Sequence, residues 1–581
     1  MKTKTKNSSD GKLLALISGI SGKVLNLTST VENIQGKTLE YIATLLYAVA
    51  HLLMAIVHEP WFDESVAWQI ARCASVPDIL LEIPHYEGHP PLWHLILLPF
   101  AKLGAPYELS MTIVSLIFAG AAIGLIIWKS PFPRIIRLLL PFTYFFFYQY
   151  GVISRPYCVM MFAFVLLAMT YQSRKEQPWK YTLCLMLLCL TSAYGIVMAG
   201  GLAIAWVWEI WNRRKIKDLI TSCLKDKRIY CLAGLLAFAL VLIALIMPKE
   251  DTYALNPVEE GEIRNGFVIR LFYMLTSSIS DVLITDVYSD YSFLKTTYLS
   301  YTGLICSFFI GALILFTIAC YGKKKKTALL FFIPYTLFGV FSSIVYVCLH
   351  HIGIVLLLFV FWFWASLQEP DSDTPAAPFI QNNRELITDL LVFAATAIML
   401  MSLTWNITAC IQDIYKDYAV GRNISKFIAE NNLDDYKIMA EWDVLYDSDT
   451  SEIAAMDTQH CVYTDSLSPY FEHNIFYNFM DGEDSLNYMS HKLATEEQNA
   501  RNLAKWKEMG YPDVLFQSPD LNVLWDSEEL NYLDYTLVYY ETHERIWKIN
   551  SQTSVVSLRV RKDLATELGL EEVEWYNAFE Q

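Results

Sequence analysis

Residues 92–104 read LWHLILLPFAKLG, and the topology of the whole chain turns on whether this stretch crosses a membrane. It is apolar, but it has only 13 residues and contains Pro99. A crossing helix needs about 20 apolar residues, with a range of roughly 17–25. Longer apolar runs lie on either side, at 40–57, 109–128, 135–150, 156–172, 229–247, 297–320, 327–349, 352–367 and 386–406. The run 179–211 is too long for one crossing and short for two, so Tyr194–Gly195 at its middle is read as a tight turn between two short helices. These runs give eleven spans without 92–104.

The basic residues decide the doubtful stretch, because cytoplasmic loops are enriched in Lys and Arg. Lys2, Lys4, Lys6, Lys12, Lys23 and Lys37 place the polar segment 1–39 in the cytoplasm. If 92–104 does not cross, the clusters at Lys129/Arg134/Arg137, Arg174/Lys175/Lys180, Arg213–Arg228 and Lys323–Lys326 all fall on that same side. If it does cross, all of them fall outside. The expectation is therefore an interfacial helix at 92–104, outer loops at 58–108 and 248–296, and an outer C-terminal end. An amphipathic helix is expected near 266–280, lying on the membrane face. Residues 368–385 read as an inner linker.

Charge divides the chain the same way. The 581 residues carry a formal net charge of −16, with 54% hydrophobic and 18% charged residues. Residues 407–581 hold 33 acidic and 13 basic residues, a net of −20, and residues 1–406 hold 27 and 31, a net of +4. This is a polytopic helical membrane body (40–406) followed by an acidic domain (407–581). The hydrophobic content excludes disorder, and the acidity argues against a nucleic-acid partner. The 11 cysteines lie mostly inside apolar runs, with no metal-ligand spacing. In the C-terminal part, helices are expected at 419–431 and 494–509 and strands at 436–442, 513–518, 535–541 and 553–560. Helix–strand alternation of this kind makes a layered α/β unit.

The first outer loop carries the chemistry. Residues 58–94 read HEPWFDESVAWQIARCASVPDILLEIPHYEGHPPLWH, with Asp63-Glu64 at the start of a helix and Gly88-His89-Pro90-Pro91 at the end. Taken alone, Asp63 is an N-cap and Glu64 a first-turn acid, both favourable at a helix start. The outer-face assignment brings further polar residues to the same level: Arg155 in Ser154-Arg155-Pro156-Tyr157, Tyr194 at a turn, and His350-His351. Charged groups at membrane depth are costly and face a cavity or a partner. A carboxylate can act as general base on an acceptor hydroxyl, and Arg and His can hold a phosphate leaving group. The aromatic run YFFFYQY at 144–150 is read as lipid-facing or interfacial, or as the lining of a prenyl groove.

The pairing of Asp-Glu with Gly-His-Pro-Pro-Leu about 25 residues later resembles the GT-C fold of polytopic glycosyltransferases. It is most similar to the superfamily of protein O-mannosyltransferases and aminoarabinose transferases. The resemblance spans roughly 40–365 and is strongest at 58–95. It implies an inverting transfer of a sugar from a polyprenyl-phosphate donor in the bilayer to a glycan, lipid or protein hydroxyl. Under it Asp63 is the base, Glu64 orients the site or the acceptor, His89 sits near the donor phosphate, and Arg155, His350, His351 and Tyr194 line the donor. No cofactor is implied. A divalent metal is compatible, though no ligand set demands one. The chain lacks the β-trefoil insert of the protein O-mannosyltransferases, which leaves the acceptor open. Two other classes compete. A secondary transporter would show inverted repeats and midplane charges, and neither is evident. A non-catalytic scaffold displaying the acidic domain would not need the outer polar cluster.

Overall fold

A computed structural model of the chain describes residues 7–212, 226–252, 267–284, 301–345, 349–372, 382–440, 443–446, 453–457, 462–479, 492, 495–517, 534–547 and 550–574. Its first part is built of helices: α1 (Asn7–Asn33), α2 (Thr38–Val57), α3 (Phe62–Cys73), α4 (Val76–Leu81), α5 (Pro84–Glu87), α6 (Leu92–Lys102), α7 (Tyr107–Lys129), α8 (Arg134–Leu139), α9 (Tyr157–Thr170), α10 (Pro178–Cys189) and α11 (Ala193–Asn212). Next come α12 (Lys227–Ile246), α13 (Phe267–Thr276), α14 (Ser278–Leu283), α15 (Tyr301–Lys325), α16 (Ala328–Ile344), α17 (Leu349–Gln368) and α18 (Arg384–Tyr415). Among the described residues, eight helices are long and apolar enough to cross a membrane. The chain is a helical membrane protein. Outward-facing side chains such as Leu45, Leu46, Leu240, Val241, Phe309 and Phe316 are exposed. That suits a lipid solvent, where each helix satisfies its own backbone.

Side-chain contacts sort the helix ends into two groups. At one end, Arg134 pairs with Glu40 at 2.6 Å, and Arg174 pairs with Glu209 and Glu369 at 2.9 and 3.2 Å. Lys325 donates to the Glu369 carbonyl there, and Phe132 stacks on Phe363. At the other end, α2 meets α18, α3 meets the segment before α9, and α9 and α11 meet the start of α17. Arg134, Arg137, Arg174, Lys175, Lys324 and Lys325, from the basic clusters that set the sequence topology, are thus paired with acids at the end opposite Asp63.

Five local readings change. The first 39 residues, read as a polar tail, contain α1, which packs along α18 with Ser21 donating to Asp389 at 2.9 Å. Its leucines and isoleucines are interspersed with Ser, Gly and Lys, which dilutes the apolar signal. The run 144–150 is buried, not lipid-facing. It opens a π-helical turn, Phe145–Val152, with Tyr144 stacked 3.8 Å from Trp405. Internal acceptors take two of its three hydroxyls: Tyr144 donates to Gln149 and Tyr150 to the His350 carbonyl. Buried Tyr needs such partners, and hydropathy cannot see them. In 179–211 the break falls at 190–192, before Tyr194. Gly195 is required there, because a Cβ would lie 2.2 Å from the Leu188 carbonyl. The last apolar helix continues to Tyr415, nine residues beyond its apolar run. In the outer loop 248–296, α13 and α14 replace the single amphipathic helix expected, and residues 253–266 and 285–300 lie outside the described residues, as do 373–381 of the linker.

The segment 92–104 forms the 11-residue helix α6, with Pro99 inside it. Its Leu95 and Leu98 close a small core made by Val66, Ile70, Ala74, Ile79 and Ile83 of α3 to α5. The C-terminal part has its own core, from Val420 to Ala565. It holds α19 (Gly421–Glu430), β1 (Ile438–Ala440), β2 (Asp443–Tyr446), β3 (Ile453–Asp457), α20 (Val462–Leu467), α21 (Glu496–Met509), β4 (Val514–Gln517), β5 (Tyr535–Trp547), β6 (Asn550–Arg561) and α22 (Lys562–Leu568). One sheet has strand order β1-β4-β6-β5, parallel only at β1–β4, and β2–β3 form a separate antiparallel pair.

Candidate functional site

Asp63 and Glu64 occupy the first turn of α3, where acids are favoured by the exposed backbone N–H groups. Their roles separate by exposure. The Glu64 side chain is 1% exposed and the Asp63 side chain 27%. Glu64 accepts from the Trp61 backbone N–H at 2.8 Å and from the Ser154 backbone N–H at 2.6 Å. It closes the helix start and ties it to the segment before α9. Asp63 accepts from the Arg155 guanidinium. Two consecutive acids therefore grip two consecutive residues, 154 and 155. Glu64 is placed to orient, and Asp63 is the carboxylate open to a substrate.

From Arg155 a line of rings leads inward. Its guanidinium lies 5.7 Å from the Tyr157 ring centre. Tyr157 is 5.4 Å from His350 and 5.9 Å from His351. The two histidines place their Nε2 atoms 3.1 Å apart. Tyr194 covers His351 at 4.4 Å between ring centres. His351 also lies within electrostatic reach of Arg155 and His89. His89 follows Gly88, which ends α5 at φ +63°, a left-handed conformation that Gly adopts without steric cost. Asp63, Arg155, His350, His351 and Tyr194, with His89 close by, thus form one polar group at one end of the helix bundle.

Two residues went unassigned in the sequence. His58, the first residue of the outer loop, and Asp413, near the end of the last apolar helix, have no role in the sequence reading. His58 Nδ1 lies 2.9 Å from Asp413 and Nε2 3.4 Å from Glu64. Burial pulls this imidazole down, but the Asp413 carboxylate and then Glu64 outweigh it and hold it up at about 10. The available signal was an acid at the end of the last apolar helix, where ionisable residues seldom stand without a partner.

A second charged junction lies beside the first. Glu59, Asp417 and Glu541 bring carboxylate oxygens within 4.8 Å of one another. Burial, with Glu541 and Asp417 beside it, holds Glu59 well above the usual carboxylate range despite the Arg422 backbone N–H on it. Burial likewise raises Glu541 to about 7, against the Asn423 amide that donates to it. These are the residues best placed to take a divalent cation, but like-charged acids alone do not define a metal centre. They join the C-terminal part to the loop. Arg422 adds bonds to Glu108 at 2.9 Å and to the His58 carbonyl at 2.8 Å, Tyr470 donates to Glu108, and Arg72 of α3 donates to the Phe471 carbonyl. The Asp447-Ser448-Asp449 stretch, which has the Asp-x-Asp form of some metal sites, lies outside the described residues. No protein-family model matches the chain, and no curated protein matches it.

Chemically, the group offers one accessible carboxylate, one guanidinium shared with it, two imidazoles and two phenolic rings. An anion can bind at Arg155 while a hydroxyl approaches Asp63.

Proposed function

We propose that the chain is a membrane glycosyltransferase that moves a sugar from a polyprenyl-phosphate donor to a hydroxyl acceptor. The Asp63–Arg155 pair carries the reading: a partly exposed carboxylate shares a guanidinium beside two histidines, at a membrane face. The acceptor oxygen attacks the anomeric carbon, the bond from that carbon to the phosphate oxygen breaks, and polyprenyl phosphate leaves with the electron pair. Asp63 takes the hydroxyl proton. Arg155, drawn toward the phosphate, stabilises the charge that builds on it. His89, His350 and His351 support the same phosphate, and Tyr157 and Tyr194 pack against the sugar or the first prenyl unit.

In this reading the chain crosses eleven times: α1 does not cross, and the shorter helices α9, α10 and α16 and the irregular stretch 134–152 cross with the seven other long helices. Residues 1–39 then lie in the cytoplasm, and the C-terminal domain stands outside, over the site. The likeness of the Asp-Glu and Gly-His-Pro-Pro elements to GT-C enzymes supports the reading. One observation favours a transporter instead: Asp281, buried just after the break between α13 and α14. Both of its oxygens are taken, by Tyr273 and by Ser307 at 2.9 Å, which suits a structural plug better than an ion pathway. The deciding experiment supplies purified protein with a panel of polyprenyl-phosphate sugars and follows release of polyprenyl phosphate. The reading requires release by the wild type and its loss in Asp63→Asn. Equal release by both would refute it.

A further inference from the structure

We propose that His58 is a positioning residue of this site, linking the end of the last membrane helix to the turn that presents Asp63. The proposal rests on the transferase reading and adds a residue that reading does not use. His58 bridges Asp413 at 2.9 Å and Glu64 at 3.4 Å, with the histidine side chain 3% exposed and both acids 1%. Its backbone is held on both sides: the N–H donates to the Met54 carbonyl at 2.7 Å, and the carbonyl accepts from Arg422 at 2.8 Å. Tyr418 packs 4.9 Å from its ring and Tyr148 6.3 Å. The imidazole is thus fixed by α2, α18 and the C-terminal part together.

What it fixes is the catalytic geometry. Glu64 receives the ring and the Trp61 backbone N–H on Oε2 and the Ser154 backbone N–H on Oε1. Trp61 precedes the turn that carries Asp63, and Ser154 precedes Arg155. A displaced Glu64 shifts both members of the Asp63–Arg155 pair at once. A neutral substitute for His58 leaves two buried carboxylates facing each other without a counter-charge, so Glu64 is expected to move. His58 touches neither Asp63 nor the proposed donor position, so its effect is on placement.

The test uses full-length protein in detergent and the variant His58→Gln, with Asp413→Asn as a milder second variant that keeps a hydrogen bond to the ring. Two measurements are made on each. Amide exchange should quicken about tenfold or more over 60–66 and 152–156 and stay unchanged over β6, since local opening is read segment by segment. Turnover of the donor accepted by the wild type should fall about 10- to 100-fold in kcat with KM within about twofold, the pattern of misplaced reacting groups. Unchanged exchange in both segments overturns the proposal, and so does a loss carried by KM alone. Asp63→Asn run in parallel separates the two ideas. If it and the wild type release equally, the transferase reading fails, whatever the exchange of 60–66 shows. If Asp63→Asn is inactive and His58→Gln is not, only the role of His58 fails.

Discussion

His58 and Glu59 are neighbours in the chain and end in opposite electrostatic settings. His58 sits in a junction of alternating sign, Asp413–His58–Glu64, which continues through the next acid to Asp63–Arg155. Glu59 sits in a junction of one sign, with Asp417 and Glu541, relieved by Arg422, Asn423 and Tyr539. Both are buried, and both couple the loop to other parts of the chain. Alternating charges compensate each other and hold a fixed geometry at neutral pH. Like charges are tolerated only while protons remain on them, which makes the junction depend on pH. The first arrangement suits a site, and the second suits a seam between two parts of a protein.

The largest effect should come from the exposed end of the alternating junction. Asp63→Asn should lower the transfer rate by about a thousandfold or more, taking general-base loss together with the broken Arg155 pair. Release of polyprenyl phosphate measures it. Arg155→Lys keeps the charge but loses the fork, and should cost about 10- to 100-fold, most of it in kcat, because Lys cannot reproduce a guanidinium's planar contacts. A full-activity Arg155→Lys would show that the pair acts only as a point charge.

Stability separates the junctions next. Asp413→Ala removes the main counter-charge of His58 and should destabilise the protein by about 3 kcal/mol, less whatever His58 recovers by losing its proton. Thermal unfolding in detergent reads this. Glu541→Gln should do the reverse, stabilising at pH 8 and leaving pH 4 nearly unchanged. The sign follows from the raised pKa. In the unfolded chain Glu541 titrates near 4.5 and in the folded protein near 7, so folding stability falls as pH rises through that window. The full shift corresponds to at most about 3 kcal/mol. His58 also has a raised pKa, so its stabilising contribution is complete below 6.5 and is lost as pH rises toward 10. The seam should therefore loosen between about pH 4.5 and 7, and the site between about pH 6.5 and 10. A single unfolding transition at all pH values from 5 to 9, insensitive to Glu541→Gln, would remove the distinction. The smallest effect belongs to neither junction: Lys426→Ala breaks the exposed i,i+4 pair with Glu430 and should leave the thermal midpoint where it was.

Much of this was legible from the chain. Apolar runs gave the helices of the body, because a bilayer demands length and hydrophobicity from each one. Helix–strand alternation placed α19, β1, α21, β4 and β6 within a few residues. The Asp-Glu and Ser-Arg-Pro-Tyr elements were recognisable because charge is rare in apolar sequence. Other features were not legible. The aromatic run 144–150 has the same hydropathy whether it faces lipid or core, and only its hydroxyl partners decide. Nor did anything in the composition mark α1, whose packing along α18 depends on a helix some 360 residues away.

By itself the sequence determined that this is a helical membrane protein with an acidic C-terminal part, since periodicity, length and charge are local quantities. It also supplied the candidate acids and bases. Only the tertiary structure decided which acid is buried and which is open. Asp63 and Glu64 are adjacent and chemically alike, and their difference in exposure, 27% against 1%, arises from what packs around them. The pairing of His58 with Asp413 across 355 positions is of the same kind. Electrostatic partners are fixed by distance in space, and distance in space is set by the packing of helices that the sequence alone leaves unordered.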